Sequence, residues 1–62
     1  MSEAQLYRAR AEECFAEADR TGLQNVRDRC LRAGAAWAAM AERGERAAAM
    51  RAEQQRVKAE SA

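Results

Sequence analysis

Small side chains recur at every seventh position in two stretches of this 62-residue chain. They are Ala4, Ala11 and Ala18 in the first stretch and Gly34, Ala41 and Ala48 in the second. Because residues seven apart share one side of a helix, this pattern lets two helix backbones approach closely. It favours two helices that pack antiparallel across a short turn, and it constrains the fold more than any other feature of the sequence.

The composition agrees with an all-α fold in a single domain, residues 1–62. The chain has no proline, and alanine, glutamate, arginine and glutamine, all good helix formers, dominate it. Beyond the first residue there are few large apolar side chains, too few for a substantial core, and such small chains usually rely on a disulfide, a metal or a partner subunit. We therefore predict an antiparallel helical hairpin with a long second helix, dimerising into a four-helix bundle or an antiparallel coiled coil.

The first helix is predicted over about residues 3–20. Ser2 followed by Gln5 fits a capping box, in which each side chain accepts a backbone N–H of the other residue. Gly22 is expected to end this helix, because glycine adopts the left-handed conformation without steric cost.

The second helix is predicted over about residues 25–60, after a turn at 21–25. Asn25 is one candidate N-cap, and Thr21 is another. A kink at Gly44 is possible. A continuous helix is favoured, because a lone glycine inside a helix costs only about 1 kcal/mol of helix stability.

A spacing of three and four residues in both helices predicts the hairpin seam. The seam residues are Tyr7, Ala11, Cys14, Ala18, Val26, Cys30, Ala33, Trp37, Met40 and Ala41. If the turn centres on Gly22, residues whose numbers sum to about 44 lie opposite each other. The resulting pairs are Cys14 with Cys30, Tyr7 with Trp37, Ala4 with Met40, Glu17 with Arg27 and Glu12 with Arg32.

The end of the second helix repeats this spacing at Ala47, Met50, Gln54 and Val57. We expect these residues to form a face for a second copy of the chain, since symmetric association is the commonest solution. A groove that accepts another helical protein is the alternative.

No residues predict catalysis, a metal site or a cofactor. The chain lacks histidine, so no serine or cysteine has the usual base to activate it. Cys14 and Cys30 are sixteen positions apart, which is not a metal-binding spacing. We favour two reduced thiols, and a redox-responsive clasp between them stays open.

Charge is nearly balanced, with a net of +1. Residues 3–20 carry three basic and five acidic side chains, whereas 25–43 carry four basic and two acidic ones, which suits two helices packed side by side. Arginines of the second helix could form a weak nucleic-acid-binding dimer, but interleaved acids disfavour it. The sequence shows no secretory leader and no apolar run long enough for a membrane span, so we expect a cytoplasmic protein.

Several short motifs resemble a group of very short, largely uncharacterised alphaproteobacterial proteins that form helical hairpins. The motifs are Tyr7-Arg8, Ala11-Glu12-Glu13-Cys14, Asn25-Val26-Arg27-Asp28-Arg29, Leu31-Arg32, Ala36-Trp37 and Met40-Ala41. The resemblance covers about residues 6–43 and implies a bacterial cytoplasmic hairpin, and it carries over no catalytic or ligand residues. Together with the seam, it leads us to expect a non-enzymatic protein–protein interaction module, an adaptor or a regulator.

Overall fold

The structure, a computed structural model, describes residues 2–61 and consists of two α-helices. Helix α1 spans Glu3–Arg20 and helix α2 spans Gln24–Ser61, with 18 and 38 residues. The helices pack antiparallel in a hairpin with a longest dimension of 59 Å, close to the ~57 Å that 38 helical residues span. The all-α hairpin with a long second helix is therefore confirmed, and no strand occurs within residues 2–61.

The start of α1 is fixed by its own sequence. The Ser2 hydroxyl accepts the Gln5 backbone N–H at 3.2 Å, and the Gln5 side-chain oxygen accepts the Ser2 N–H at 2.9 Å. The predicted capping box is thus present and satisfies two amides that the first turn leaves without helical partners.

The turn differs from the prediction. No glycine has a positive φ within residues 2–61, so Gly22 does not adopt the left-handed conformation. Thr21 instead leaves α1 in an extended conformation, at φ −84° and ψ 141°. Its hydroxyl accepts the Leu23 backbone N–H at 3.2 Å, a short turn typical of threonine. Helix α2 begins at Gln24, so the predicted N-cap at Asn25 is wrong.

Four small residues form the buried seam between the helices. They are Ala11, Ala18, Gly34 and Ala41. The alanines are 1%, 2% and 0% exposed, and no large side chain among residues 2–61 is fully buried. The seven-residue pattern therefore marks the line of closest backbone approach at these four positions, whereas Ala48, which also belongs to the pattern, is exposed.

The register of the two helices is shifted by about one turn from the predicted one. Ala4 lies opposite Gly44 and not Met40, because a Cβ on Gly44 would be 3.1 Å from the Ala4 Cβ. Phe15 likewise lies over Gly34. These pairs sum to 48 and 49, not 44. The extended residue Thr21 accounts for the shift, since extended backbone advances about twice as far per residue as helix and lets α2 start beyond the end of α1.

The predicted ion pairs fail for the same reason. Glu17 pairs with Arg20 on its own helix, at 3.1 Å, and not with Arg27. The Arg27 guanidinium instead donates to the carbonyl oxygen at the end of α1, at 3.3 Å, where a cation is favourable to the helix dipole. Within residues 2–61, Glu12 and Arg32 form no ion pair.

One ion pair of the described residues joins the two helices. The Arg8 guanidinium lies 3.0 Å from the Glu45 carboxylate, with both side chains about half exposed. Such a pair contributes at most about 1 kcal/mol, but it sits at the open end of the hairpin and agrees with the shifted register.

Helix α2 is continuous through Gly44 and extends well beyond α1. Gly44 is level with Ala4, so the segment 48–61, which we call the overhang, projects about 21 Å past α1. Every residue of 45–61 is exposed. The overhang therefore lies outside the buried seam between the two helices.

Candidate interaction surfaces

An aromatic pair lies on one side of the seam. The rings of Tyr7 and Trp37 have centroids 5.7 Å apart and an interplanar angle of 32°, a tilted geometry that aromatic rings favour. The predicted contact between these residues is confirmed even though the register shifted, because both side chains are long enough to bridge one helical turn. Both residues stay partly open to solvent.

Further apolar side chains continue this surface, which we call the aromatic face. Its members are Tyr7, Cys14, Val26, Cys30 and Trp37, and all five are half-buried. Each lies within about 80° of the seam on the same side, counting 100° per residue. The face is thus a partly covered apolar strip along both helices.

The two cysteines on the aromatic face are free thiols. Cys14 and Cys30 are half-buried, like small apolar side chains of the strip. The prediction of two reduced thiols, with a clasp as the alternative, is left to chemical tests.

On the other side of the seam, one aromatic ring packs over the backbone. Phe15 lies so close over Gly34 that a Cβ on the glycine would be 2.6 Å from the ring. The ring is still 39% exposed, and neighbouring Leu31 is 44% exposed. The hairpin therefore shows apolar surface on both sides of its narrow seam.

A second, largely apolar line runs along α2, from the flank of the seam at Ala33 to the side turned away from α1 at Val57, and we call it the outer stripe. Its positions alternate three and four residues apart: Ala33, Ala36, Met40, Arg43, Ala47, Met50, Gln54 and Val57. Counting from Ala41, which faces α1, Met50 and Val57 lie about half a turn away. Met50 is 63% and Val57 47% exposed.

The outer stripe includes the four residues predicted as a partner face and extends it upstream. The sequence pattern places Ala33 and Met40 in the hairpin seam. In the structure both residues are half-buried on the flank of the seam. The regular spacing through Ala36 was a signal available in the sequence. It was missed because the same three-and-four rhythm also describes the seam.

Three of the five charged side chains of the overhang are paired with one another. The Arg56 guanidinium contacts the carboxylates of Glu53 and Glu60. The hydrogen bonds to these carboxylates raise the pKa of Arg56 above its ordinary value, and the bond to Glu53 has the larger effect. An arginine held by two carboxylates is a poor phosphate ligand. Arg27, which donates to the end of α1, is also engaged, and both observations disfavour a nucleic-acid-binding stripe.

No group of three or more cysteine, aspartate and glutamate side chains within residues 2–61 could hold a metal ion. In the same segment, neither helix has a stretch apolar and long enough to cross a bilayer.

Comparisons with known proteins give no assignment. A scan against family models finds no match, and searches of the curated proteins and of the solved structures find no significant similarity. The resemblance to short bacterial hairpins stays a prediction from sequence motifs, and the surfaces described above have to carry the functional argument.

Proposed function

We propose that this protein is a small non-enzymatic interaction module, an adaptor or regulator in the bacterial cytoplasm, which binds a helical partner on its aromatic face. The observation that carries the proposal is the half-open state of Tyr7 and Trp37, the largest side chains of the chain. Tryptophan is on average largely buried in monomeric domains, although rarely completely. Here the seam is built from alanine and glycine, and the aromatic rings lie beside it.

The chemistry of the face fits a partner helix. Aromatic side chains are enriched where proteins bind each other, because each ring contributes a large apolar area at little entropic cost. The strip lies in the shallow groove between two helices, and an amphipathic helix fits such a groove with apolar residues three and four positions apart. The cysteines and Val26 supply small apolar contacts around the rings.

Photocrosslinking can test this proposal without removing an aromatic ring. The photoreactive residue p-benzoylphenylalanine replaces Tyr7 in one variant and Phe15 in the other, so that an aromatic ring stays at each site. Phe15 is the matched control because it lies on the opposite side of the seam and is 39% exposed. Adducts formed in extracts of the native cell are then identified by mass spectrometry.

We expect the Tyr7 variant to give a discrete adduct with a different protein, through a helical segment of that protein, and the Phe15 variant to give none. Equal crosslinking from both positions would contradict recognition by the aromatic face. Adducts of the chain only with itself would contradict the role of an adaptor.

A further inference from the structure

We propose that the outer stripe is the surface on which two copies of this chain associate, through antiparallel packing of their α2 helices. This inference rests on the interaction function proposed above and names one of its partners, a second copy. It concerns a different surface from the aromatic face, so the two proposals can fail separately.

The exposed area of the chain supports a second copy. The chain exposes 4946 Å², whereas a compact monomer of 6.9 kDa exposes about 4,000 Å². The excess is close to the ~800 Å² that each partner contributes to a standard interface. The overhang explains much of this excess, since all of its described residues are exposed.

The pattern of the outer stripe supports a helical partner of matching length. From Ala33 to Val57 the stripe is about 36 Å long, and its alternation of three and four residues is that of a coiled-coil seam. It drifts slowly around α2, by about 20° per seven residues, as the supercoiling of two helices requires. A second α2 offers the same stripe over the same length.

Charges along the stripe select the antiparallel arrangement. In a parallel pair, Arg43 would lie against Arg43 of the second copy inside the stripe, and such like-charge contacts are costly. An antiparallel pair centred on residue 45 places Arg43 against Ala47 of the second copy. Along the edge of the stripe it brings Glu60 near Arg32 of the second copy and Arg46 near Arg46 of the second copy, so the preference for antiparallel packing rests on Arg43.

The consequence for the overhang is direct. In the antiparallel pair, each overhang lies along the part of the other α2 that is already braced by α1. Two hairpins and two overhangs then form one continuous assembly, in which Met50 lies near Met40 of the second copy. The overhang, whose described residues are all exposed in the single chain, then packs against the second copy.

Sedimentation equilibrium at micromolar concentrations tests the association with the full chain. We expect the unaltered protein to be a dimer and Met50→Glu to weaken dimerisation at least about a hundredfold, since each dimer loses two buried methionines. Met50 is 63% exposed in the single chain, so this substitution leaves the hairpin itself folded, as far-ultraviolet circular dichroism would verify. Ala52→Glu is the matched control, because Ala52 is on the same exposed segment but on the side of α2 away from the stripe, and it should keep the dimer.

Orientation is tested by distances between spin labels on Ala59→Cys in a background with Cys14→Ala and Cys30→Ala. Antiparallel packing predicts a separation of about 30–45 Å between the two labels, and parallel packing predicts less than about 25 Å. A monomeric unaltered chain, a dimer insensitive to Met50→Glu, equal loss with Ala52→Glu, or the short distance would each overturn the inference. A monomer whose Tyr7 variant still crosslinks to a different protein would overturn this inference and leave the proposed function standing.

Discussion

A methyl group at Gly34 would collide with the ring of Phe15. The Cβ of an alanine there would lie 2.6 Å from one ring carbon and 2.9 Å from two others, whereas ordinary van der Waals contact begins at 3.4 Å. The substitution Gly34→Ala must therefore displace the ring by about 1 Å or more, or push the two helices apart. Because the ring is the free end of a flexible side chain, we expect it to move outward.

Two opposing terms set the magnitude. Alanine is about 1 kcal/mol better than glycine in a helix interior. Against this, Phe15 is 39% exposed, so its buried part contributes about 1–2 kcal/mol, most of which is lost when the ring moves out. We expect Gly34→Ala to lie between neutral and about 1 kcal/mol destabilising, although its helix propensity improves.

The contribution of the ring can be isolated by repeating the substitution without it. In a Phe15→Ala background the obstruction is gone, and Gly34→Ala should stabilise the protein by about 1 kcal/mol. The difference between the two backgrounds, a coupling of about 1–2 kcal/mol, is read from urea unfolding followed by circular dichroism at a fixed protein concentration.

Gly22→Ala serves as the control glycine. A Cβ there meets nothing within 4 Å, and the backbone is not left-handed. It should stabilise the protein by about 0.4–1 kcal/mol in both backgrounds by restricting the unfolded chain. If Gly34→Ala has the same effect with and without Phe15, the ring does not occupy the position over Gly34 and the argument fails.

Three further substitutions or measurements test other contacts. Trp37→Ala should lower the free energy of unfolding by about 2 kcal/mol, which is roughly half the cost of this substitution at a fully buried site. A change below about 0.5 kcal/mol in urea titrations would mean that the ring contributes almost nothing to the stability of the hairpin. A double-mutant cycle on Arg8 and Glu45 should give a coupling of about 0.2–1 kcal/mol that declines with added salt, and zero coupling at low salt would remove the ion pair from the register argument. Mass spectrometry of freshly purified, non-reduced protein should find Cys14 and Cys30 as two free thiols; a deficit of two hydrogens would reveal the clasp instead.

The parts of the fold that could be predicted are those set by local sequence. The capping box at Ser2 depends on two residues three positions apart, and the seam depends on a periodic pattern of small residues. Both are independent of how the helices meet. The contact of Tyr7 with Trp37 was also predictable, because long side chains tolerate an offset of one turn.

The register was not predictable, because it depends on the conformation of a linker of three residues. Gly22 suggested a left-handed helix end, but the hydroxyl of Thr21 offers the following amide a partner that needs no positive φ. Once the register shifted, the expected ion pair of Glu17 with Arg27 could not form, and Arg27 found a carbonyl instead. Because the conformation of the turn was predicted wrongly, both predicted ion pairs between the helices were wrong as well.

The surfaces were only partly predictable for a related reason. Met40 fits the spacing of the seam and also that of the outer stripe. Only its angular position around the axis of α2 shows to which of the two surfaces it belongs. The proposed function has no metal cluster among the described residues as a local signal. It has to be argued from which apolar side chains the fold leaves uncovered.

The seam also determines how this chain can change by mutation. Most proteins need a minimum of side-chain volume in their interior, and loss of volume is what damages them. At Ala11, Ala18 and Ala41 the constraint has the opposite sign, because nearly every replacement for alanine is larger and would separate the backbones. The seam therefore sets an upper limit on side-chain volume at these three positions. Sequence variants of this hairpin should differ on their outer surfaces and keep residues no larger than alanine in the seam.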